Sequence, residues 1–330
     1  MPRDYGGPVS TTTPDPATAA GPTTPARVPD RPAGRSPRWL GRLAWANLVA
    51  QIGIIVTGGA VRLTGSGLGC STWPQCEPGR FTPEFHAATP AHAYIEFGNR
   101  TLTGVLGVIA LALAIAAWRS HALPAWYRRT ALLPVVGVAV QAAIGGATVL
   151  AKLHPAVVGL HMLVSLLLVA ASTVLVARRP GAAPRALVGQ TAGRVAEATV
   201  MVGLVLMVAG IVTTGAGPHG GDAEYAYRYA VDPVLVARLH AGTAWVFVGL
   251  VATCVWAMRR DGAVARPGIR PWYALLGVTL AQGLIGYVQY FTGLPELIVG
   301  AHLLGTGVLA AALTWARSGI RPPAALTPLI

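Results

Sequence analysis

Eight long apolar runs, separated by short polar segments, occupy most of the chain after its N-terminal region. Each run is close to the roughly 20 residues that an α-helix needs to cross the hydrocarbon core of a bilayer. Lipid offers no partner to unpaired backbone groups, which favours helices, and the strict alternation of membrane β-strands does not occur. The pattern predicts an all-α polytopic membrane protein with eight transmembrane helices. The runs are approximately Leu43–Val61, Glu96–Trp118, Ala131–Ala151, Pro155–Ala177, Ala198–Ala216, Val234–Met258, Trp272–Thr292 and Leu297–Trp315.

The apolar runs contain an internal repeat. The pattern Gln-x-x-Ile-Gly at residues 141–145 returns at 282–286, and Gly-x-His at 159–161 returns at 300–302, both at an offset of 141 residues. Several matches in the same order and at one spacing indicate a duplication. Because four helices per copy preserve the membrane orientation, the two halves should be related by an axis along the membrane normal.

A further match locates the insertion that distinguishes the halves. The segment Ile55–Ala60 resembles Ile211–Ala216 at an offset of 156, so the loop after the first run is 15 residues longer than its counterpart. The nine prolines of the N-terminal region argue against helix or strand there. We therefore predict two pseudo-symmetric four-helix bundles between two tails. The predicted boundaries are 1–37 for a disordered tail, 38–180 for the N-terminal half, 195–317 for the C-terminal half and 318–330 for the C-terminal tail.

The positive charges are distributed unevenly across the predicted membrane. Of the 25 Lys and Arg residues, 19 lie on the side of the N-terminal tail and 6 on the other. By the positive-inside rule, both termini are predicted to be cytoplasmic in a bacterial inner membrane. The net charge of +13 follows from these clusters, without a basic stripe on an amphipathic element, so no nucleic-acid partner is predicted.

The same orientation places the loops at 62–95 and 217–233 outside the cell, where a disulfide can persist. Cys70 and Cys76 lie in the first of these loops, close enough to bridge if the chain turns between them. Two free thiols are the alternative.

Three histidines, His161, His240 and His302, lie near the outer ends of the fourth, sixth and eighth runs. Ionisable residues inside a span are costly and usually functional, and neutral imidazole is a common axial ligand of heme iron. We predict that His240 and His302 bind one heme from both sides. The alternative is a pair satisfied by hydrogen bonds to neighbouring helices. At the repeat offset Asn99 takes the place of His240, and since an amide is a poor iron ligand, His161 is predicted to be the only protein ligand in its half.

Polar residues near the same outer edge are candidates for supporting roles. Glu96 lies one helical turn before Asn99 and on the same helix face. Its carboxylate could move protons, or it could simply mark a helix start favoured by the helix dipole. Arg100 and Arg238 could pair with heme propionates or extend toward lipid headgroups.

Several of these motifs resemble the heme A synthase family. They are Thr57–Cys76 (TGGAVRLTGSGLGCSTWPQC), Ile95–Arg100 (IEFGNR) and the two repeated patterns, and the resemblance covers about residues 40–316. It implies eight helices in two pseudo-symmetric halves. It also implies an enzyme that oxidises a methyl group of heme O to the formyl group of heme A, which serves cytochrome oxidase.

The resemblance also implies where the hemes lie. A heme b that relays electrons would lie between His240 and His302, and the substrate heme would lie in the N-terminal half. It further implies that Glu96 is catalytic and that the two loop cysteines are paired. The family positions around the substrate correspond here to Glu96, Asn99, Arg100 and His161. The commoner family pattern has histidine at position 99, so this chain is interpreted as a variant with a single protein ligand to the substrate iron.

Two other functions are compatible with parts of this pattern. A diheme electron-transfer cytochrome b without catalytic activity is the main alternative, but Asn99 argues against two symmetric bis-histidine sites. A transporter would place ionisable groups at the midplane, whereas these histidines lie near the outer face. Heme O synthase, cytochrome oxidase assembly factors and further copies of this chain are left open as partners, in addition to membrane lipid.

Overall fold

The computed structural model describes residues 1, 3, 6, 7, 38–84, 91–222, 224, 225 and 227–321. The chain divides into two units, Met1–Gly34 and Arg35–Ile330. The few described residues of the first unit belong to neither helix nor strand. Apart from them, the disordered tail predicted at 1–37 lies outside the described residues, and so does most of the predicted C-terminal tail.

Long α-helices make up most of the second unit. Eight segments within the described residues are long and apolar enough to span a membrane, which confirms the predicted fold class. The third of these spans, Ala125–Leu150, combines a short helix and a long one. The helices are α1 Arg38–Leu63, α2 Ala91–Arg119, α3 Ala125–Thr130, α4 Leu133–Leu150, α5 Pro155–Ala177, α6 Gln190–Ala216, α7 Pro233–Arg260, α8 Arg266–Phe291 and α9 Glu296–Ser318.

Most helices extend beyond the apolar runs that predicted them. Helix α6 begins at Gln190, whereas its run begins at Ala198, and α8 begins at Arg266 rather than Trp272. Hydropathy marks only the part of a helix that must face hydrocarbon, whereas the helix itself can continue into the polar headgroup region. The fifth helix has no such extension, because Pro155 begins it and both flanks are polar loops.

The helices pack in two groups that follow chain order. Helices α1, α2, α4 and α5 contact one another, and so do α6, α7, α8 and α9. Each group has its own buried apolar cluster, with Leu113 and Val169 in the first and Phe247 and Trp272 in the second. Helices α1 and α5 both pack against α9, and Ala310 of α9 belongs to the first cluster. The boundaries of the two halves at 38–180 and 195–317 stay a prediction.

The linker between α5 and α6 is fixed at the end that precedes α6. A two-residue strand β1, Ala186–Leu187, pairs in parallel with β2, Ile320–Arg321, which follows α9. The backbone N–H of Gly189 donates to the carboxylate of Asp261 at 2.7 Å. The linker is thereby tied to the ends of α7 and α9.

At the ends of the helices opposite to β1 and β2, the loops of the two groups are joined by hydrogen bonds. Arg62 donates to the backbone carbonyls of His219 at 2.7 Å and Thr214 at 2.9 Å. The backbone N–H of Gly67 donates to the carbonyl of Gly221 at 2.8 Å. These bonds join the first loop of one group of helices to the first loop of the other.

Candidate functional site

His240 of α7 and His302 of α9 face each other across the second group of helices. Their ring centroids are 6.4 Å apart and their planes are nearly perpendicular, at 85°. A metal–imidazole bond of about 2.0 Å, with roughly 1.1 Å more from each nitrogen to its ring centre, would separate two opposed ligand rings by about 6.2 Å. The observed separation therefore fits two imidazoles on opposite sides of one iron. The structure brings this predicted pair together.

Each of the three candidate histidines lies against a glycine of a neighbouring helix. A β-carbon on Gly145 would lie 3.4 Å from Cε1 of His161, and one on Gly286 would lie 3.4 Å from Cε1 of His302. A β-carbon on Gly210 would lie 3.0 Å from Cε1 of His240. Glycine at these positions lets the backbones approach closely and leaves room for the imidazole rings.

The repeat also preserves the contacts that hold the histidine backbone. Nε2 of Gln141 donates to the carbonyl of His161 at 2.9 Å, and Nε2 of Gln282 donates to the carbonyl of His302 at 3.0 Å. A hydroxyl one turn later donates to the same carbonyl in each half, from Ser165 at 3.0 Å and from Thr306 at 2.9 Å. The two glutamines therefore fix equivalent histidines in equivalent positions.

The candidate histidines have an unsatisfied ring nitrogen. Nδ1 of His161 and of His302 is buried and has no hydrogen-bond partner among the described residues. A buried imidazole nitrogen without a partner is costly in an empty protein interior. Buried imidazoles without protein partners fit a site that holds a ligand, so the residues present are compatible with heme.

The first group of helices lacks a second histidine at the equivalent position. Asn99 of α2 is hydrogen-bonded to α1, where Oγ1 of Thr57 donates to its Oδ1 at 2.8 Å. The only histidine that corresponds to the paired site is His161 on α5. The predicted asymmetry between the halves therefore has a structural counterpart in a side chain that bonds to a neighbouring helix.

Glu96 is buried, with 5% of its surface exposed, and both carboxylate oxygens are hydrogen-bonded. Oε2 accepts from the backbone N–H of Cys70 at 2.7 Å. Oε1 accepts from Nη2 of Arg100 at 2.6 Å and from its Nε at 3.2 Å. The carboxylate thus connects α2 to the first loop.

All three guanidinium nitrogens of Arg100 donate hydrogen bonds. Nη1 donates to the carbonyls of Thr72 and Gln75, both at 3.1 Å, and Nη2 donates to Thr72 at 3.1 Å as well as to Glu96. Nε completes the set with its bond to Glu96. Arg100 therefore holds the loop onto α2, while its predicted contact with a heme propionate stays a prediction.

The loop that Arg100 holds is closed by a disulfide between Cys70 and Cys76, so the paired alternative for these cysteines is the one found. Trp73, at the middle of the closed segment, packs against α4. A β-carbon on Gly146 would lie only 2.4 Å from Cδ2 of the Trp73 ring. The loop therefore lies over the C-terminal end of α4, directly beside the glycine that faces His161.

Arg238 contrasts with Arg100. It is exposed on α7, two residues before His240, and no hydrogen bond or ion pair to it is found within the described ranges. Its guanidinium is therefore open to solvent or to an anionic group. The predicted propionate contact of Arg238 also stays a prediction.

Sequence reasoning missed the contact between Trp73 and Gly146, as well as the carbonyl partners of Arg100. One signal was present, because adjacent glycines at 145 and 146 become Gly286 and Tyr287 in the repeat. The loss of the second glycine coincides with the loss of the longer loop. The adjacent glycines at 145 and 146 therefore indicated where the longer first loop packs against α4.

Comparison with known proteins gives consistent matches. Residues 41–234 match the family model described as cytochrome oxidase assembly protein (COX15-CtaA). A heme A synthase from Rhizorhabdus wittichii is 27% identical over 346 residues, covering 89% of this chain and 98% of the relative. A heme A synthase from Sphingopyxis alaskensis is 29% identical over 351 residues, covering 89% and 94%. One from Bacillus pumilus is 37% identical over 119 residues, covering 34% and 36%.

The eight spans define a multi-pass membrane protein, and two of its histidines face each other between helices of one group. The family model covers more than half of the chain. The chain belongs to the cytochrome oxidase assembly protein family, and the resemblance inferred from its motifs is confirmed.

Proposed function

We propose that this protein is a heme A synthase, which oxidises a methyl group of heme O to a formyl group. The observation that carries the proposal is the asymmetry between the two halves. One half presents two imidazoles 6.4 Å apart, and the other presents one imidazole beside a loop that is clamped to its helices. Two strong ligands suit electron transfer, whereas one ligand leaves a face of the iron open for reaction.

In this proposal His240 and His302 hold a resident heme b, and His161 binds the iron of the substrate heme. A bound heme b would supply one-electron chemistry to the reaction. The opposed rings of α7 and α9 would hold it rigidly, because the backbone of His302 is fixed by Gln282 and Thr306. Arg238, which is exposed beside His240, would bind a propionate.

The N-terminal half would position the methyl group and manage protons. The overall change is a four-electron oxidation of one carbon. Each of two hydroxylations would replace a C–H hydrogen by a hydroxyl group at the expense of an external two-electron oxidant that supplies the oxygen, and the geminal diol would lose water to give the aldehyde. Glu96 would hold or release a proton at its carboxylate, since it is the one acidic residue of α2 and is buried. Asn99, which bonds to Thr57, would leave the iron face opposite His161 without a protein ligand.

The closed loop would exclude water from the substrate. It is attached to α2 through Arg100 and Glu96 and to α4 through Trp73 and Gly146. Excluding water strengthens electrostatic interactions in a site and limits side reactions. Arg100 is accordingly proposed as a positioning residue for this loop.

The proposed membrane orientation places both termini in the cytoplasm of a bacterial cell and the closed loop outside. The count of positive residues supports it. Heme O synthase and oxidase assembly factors are proposed as protein partners on the ground of chemistry alone, because heme O must be delivered to this protein and heme A removed from it. Association of several copies of the chain stays a prediction.

Extraction of pigments from the purified protein tests the proposal. The full chain would be expressed in a bacterial host that makes heme O and lacks its own heme A synthase. Chromatography of the extracted hemes should reveal heme A or a hydroxylated heme O together with heme b. Heme b alone would indicate an electron-transfer cytochrome, and absence of all heme would overturn the assignment of the histidines. A variant with His161→Ala serves as control, because it should keep heme b and produce no heme A.

A further inference from the structure

An open cleft of about 390 Å³ lies at the end of the bundle that carries the inter-half linker. The side chains around it come from the start of α3, the end of α5, the linker and the end of α9. They are Trp126, Val174, Arg178, Arg185, Arg317 and Ser318. Three of the six are arginines, which come from the end of α5, the linker and the end of α9, so the cleft gathers positive charge from three segments.

Little in the described structure neutralises that charge. Arg317 forms an ion pair with Glu197 of α6. Arg178 reaches only the carbonyl of Ser318, at 3.4 Å. Arg185 is exposed, and no hydrogen bond or ion pair to it is found in the part of the chain that is described.

Two of the arginines repel each other. Desolvation lowers the pKa of Arg178 outside the membrane span, and the charge of Arg185 lowers that pKa further. Like charges are held together at a cost unless an anion compensates them. The arrangement therefore gains stability when a negatively charged group lies between Arg178 and Arg185.

The cleft lies at the ends of membrane spans, which is the level at which we expect lipid headgroups. The spans that border it end at Ala177 and Ser318, and a third begins at Ala125. Trp126, on the edge of the cleft, is 43% exposed, and tryptophan is enriched at membrane–water boundaries. An anion at this level meets both guanidinium groups and an apolar helix surface, which suits a lipid better than a soluble ion.

We propose that this cleft binds the phosphate of an anionic phospholipid headgroup. Guanidinium groups match phosphate oxygens through paired N–H donors, and basic pockets between membrane helices are suited to acidic headgroups. Arg178 lies at the end of the first group of helices, Arg185 lies in the linker and Arg317 lies at the end of the second group. The lipid phosphate therefore joins the two halves at this face.

Native mass spectrometry of the full chain released from nanodiscs tests the proposal. Nanodiscs with equal amounts of phosphatidylglycerol and phosphatidylcholine should leave phosphatidylglycerol on the wild-type protein in clear excess. The double variant Arg178→Gln, Arg185→Gln keeps the ion pair of Arg317 and should reduce that preference by about tenfold or more. The control Arg266→Gln, Arg270→Gln removes the same charge from exposed positions of α8 outside the cleft and should retain it.

Three results would overturn the proposal. They are equal retention of both lipids by the wild type, equal loss in the two double variants, and displacement of the lipid by inorganic phosphate alone, which would identify a site for a free anion. The variant Arg178→Lys, Arg185→Lys guards against a folding defect, because it keeps the charge and loses only the paired donors. It should retain an intermediate preference, and circular dichroism should show unchanged helix content.

Discussion

The indole of Trp73 occupies the space that a side chain on residue 146 would need. A β-carbon there would lie 2.4 Å from the ring, and Gly145, the preceding residue of α4, faces the imidazole of His161. Two adjacent glycines therefore hold the closed loop and the candidate iron ligand side by side. In the repeat, Gly286 keeps the contact with its histidine while Tyr287 replaces the second glycine.

The substitution Gly146→Ala tests whether this contact matters to the reaction. The new methyl group would overlap the Trp73 ring. The ring can move away only if the loop that carries it also moves. We expect heme A formation to fall by about tenfold or more, since small misplacements near a reacting group are costly, while heme b binding is unchanged. Heme A and heme b would be quantified by chromatography of extracted pigments.

Gly104→Ala is the matched control for that substitution. Nothing lies within 4 Å of a β-carbon built at Gly104 of α2, so this variant should behave like the wild type. Full activity in Gly146→Ala would contradict the role given to the loop.

Replacing Glu96 by Gln separates proton transfer from attachment of the loop. Glutamine keeps an oxygen that accepts from Arg100 or from Cys70, but it cannot take up a proton. We expect heme A formation to fall by about 100-fold or more, with the loop still attached. The loop would be monitored by limited proteolysis, and heme A by pigment extraction. Wild-type output from Glu96→Gln would remove this residue from the chemistry, and cleavage of the loop would reassign it to a structural role.

Loss of either paired histidine should abolish the spectrum of heme b. His240→Ala and His302→Ala each remove one of the two opposed rings, so iron bound there cannot remain low-spin and six-coordinate. Reduced-minus-oxidised absorption spectra of the purified protein measure this. The control is His121→Ala, which removes a histidine from an exposed loop position and should leave the heme b spectrum unchanged. Retention of the low-spin bands in both variants would refute the ligand assignment.

Asn99→His should convert the single-ligand site into a paired one. His240 occupies the equivalent position in the second half and lies opposite His302. An imidazole at residue 99 should therefore bind the substrate iron opposite His161, shift its spectrum to low spin and lower the rate of heme A formation. Electron paramagnetic resonance of the protein loaded with heme O measures the spin state. An unchanged high-spin signal would mean that residue 99 does not face this iron.

Much of this fold could be predicted from hydropathy, because a bilayer imposes one length and one secondary structure on every span. Helix α5 matches its apolar run at both ends. The ends of α6 and α8 could not be predicted in this way, since their first turns are polar and hydropathy is insensitive to them. The opposition of His240 and His302 could also be predicted, because the two residues lie at similar depths on two helices of the same half.

The surroundings of Glu96 were beyond sequence reasoning. The partners of Arg100 are backbone carbonyls of Thr72 and Gln75, and a carbonyl leaves no trace in the identity of its residue. The conformation of an irregular loop has no period from which it could be inferred. Only the composition of the loop, with two cysteines and several glycines, indicated that it was compact.

The parallel pairing of β1 with β2 has a consequence for assembly. Ala186 bonds to Gly319, a residue that the ribosome reaches 133 positions later. The linker that follows the first four spans therefore lacks its β2 partner until the last span has been synthesised. The pairing of β1 with β2 is therefore a late event in biogenesis, and it forms only when the helices of both groups have been synthesised.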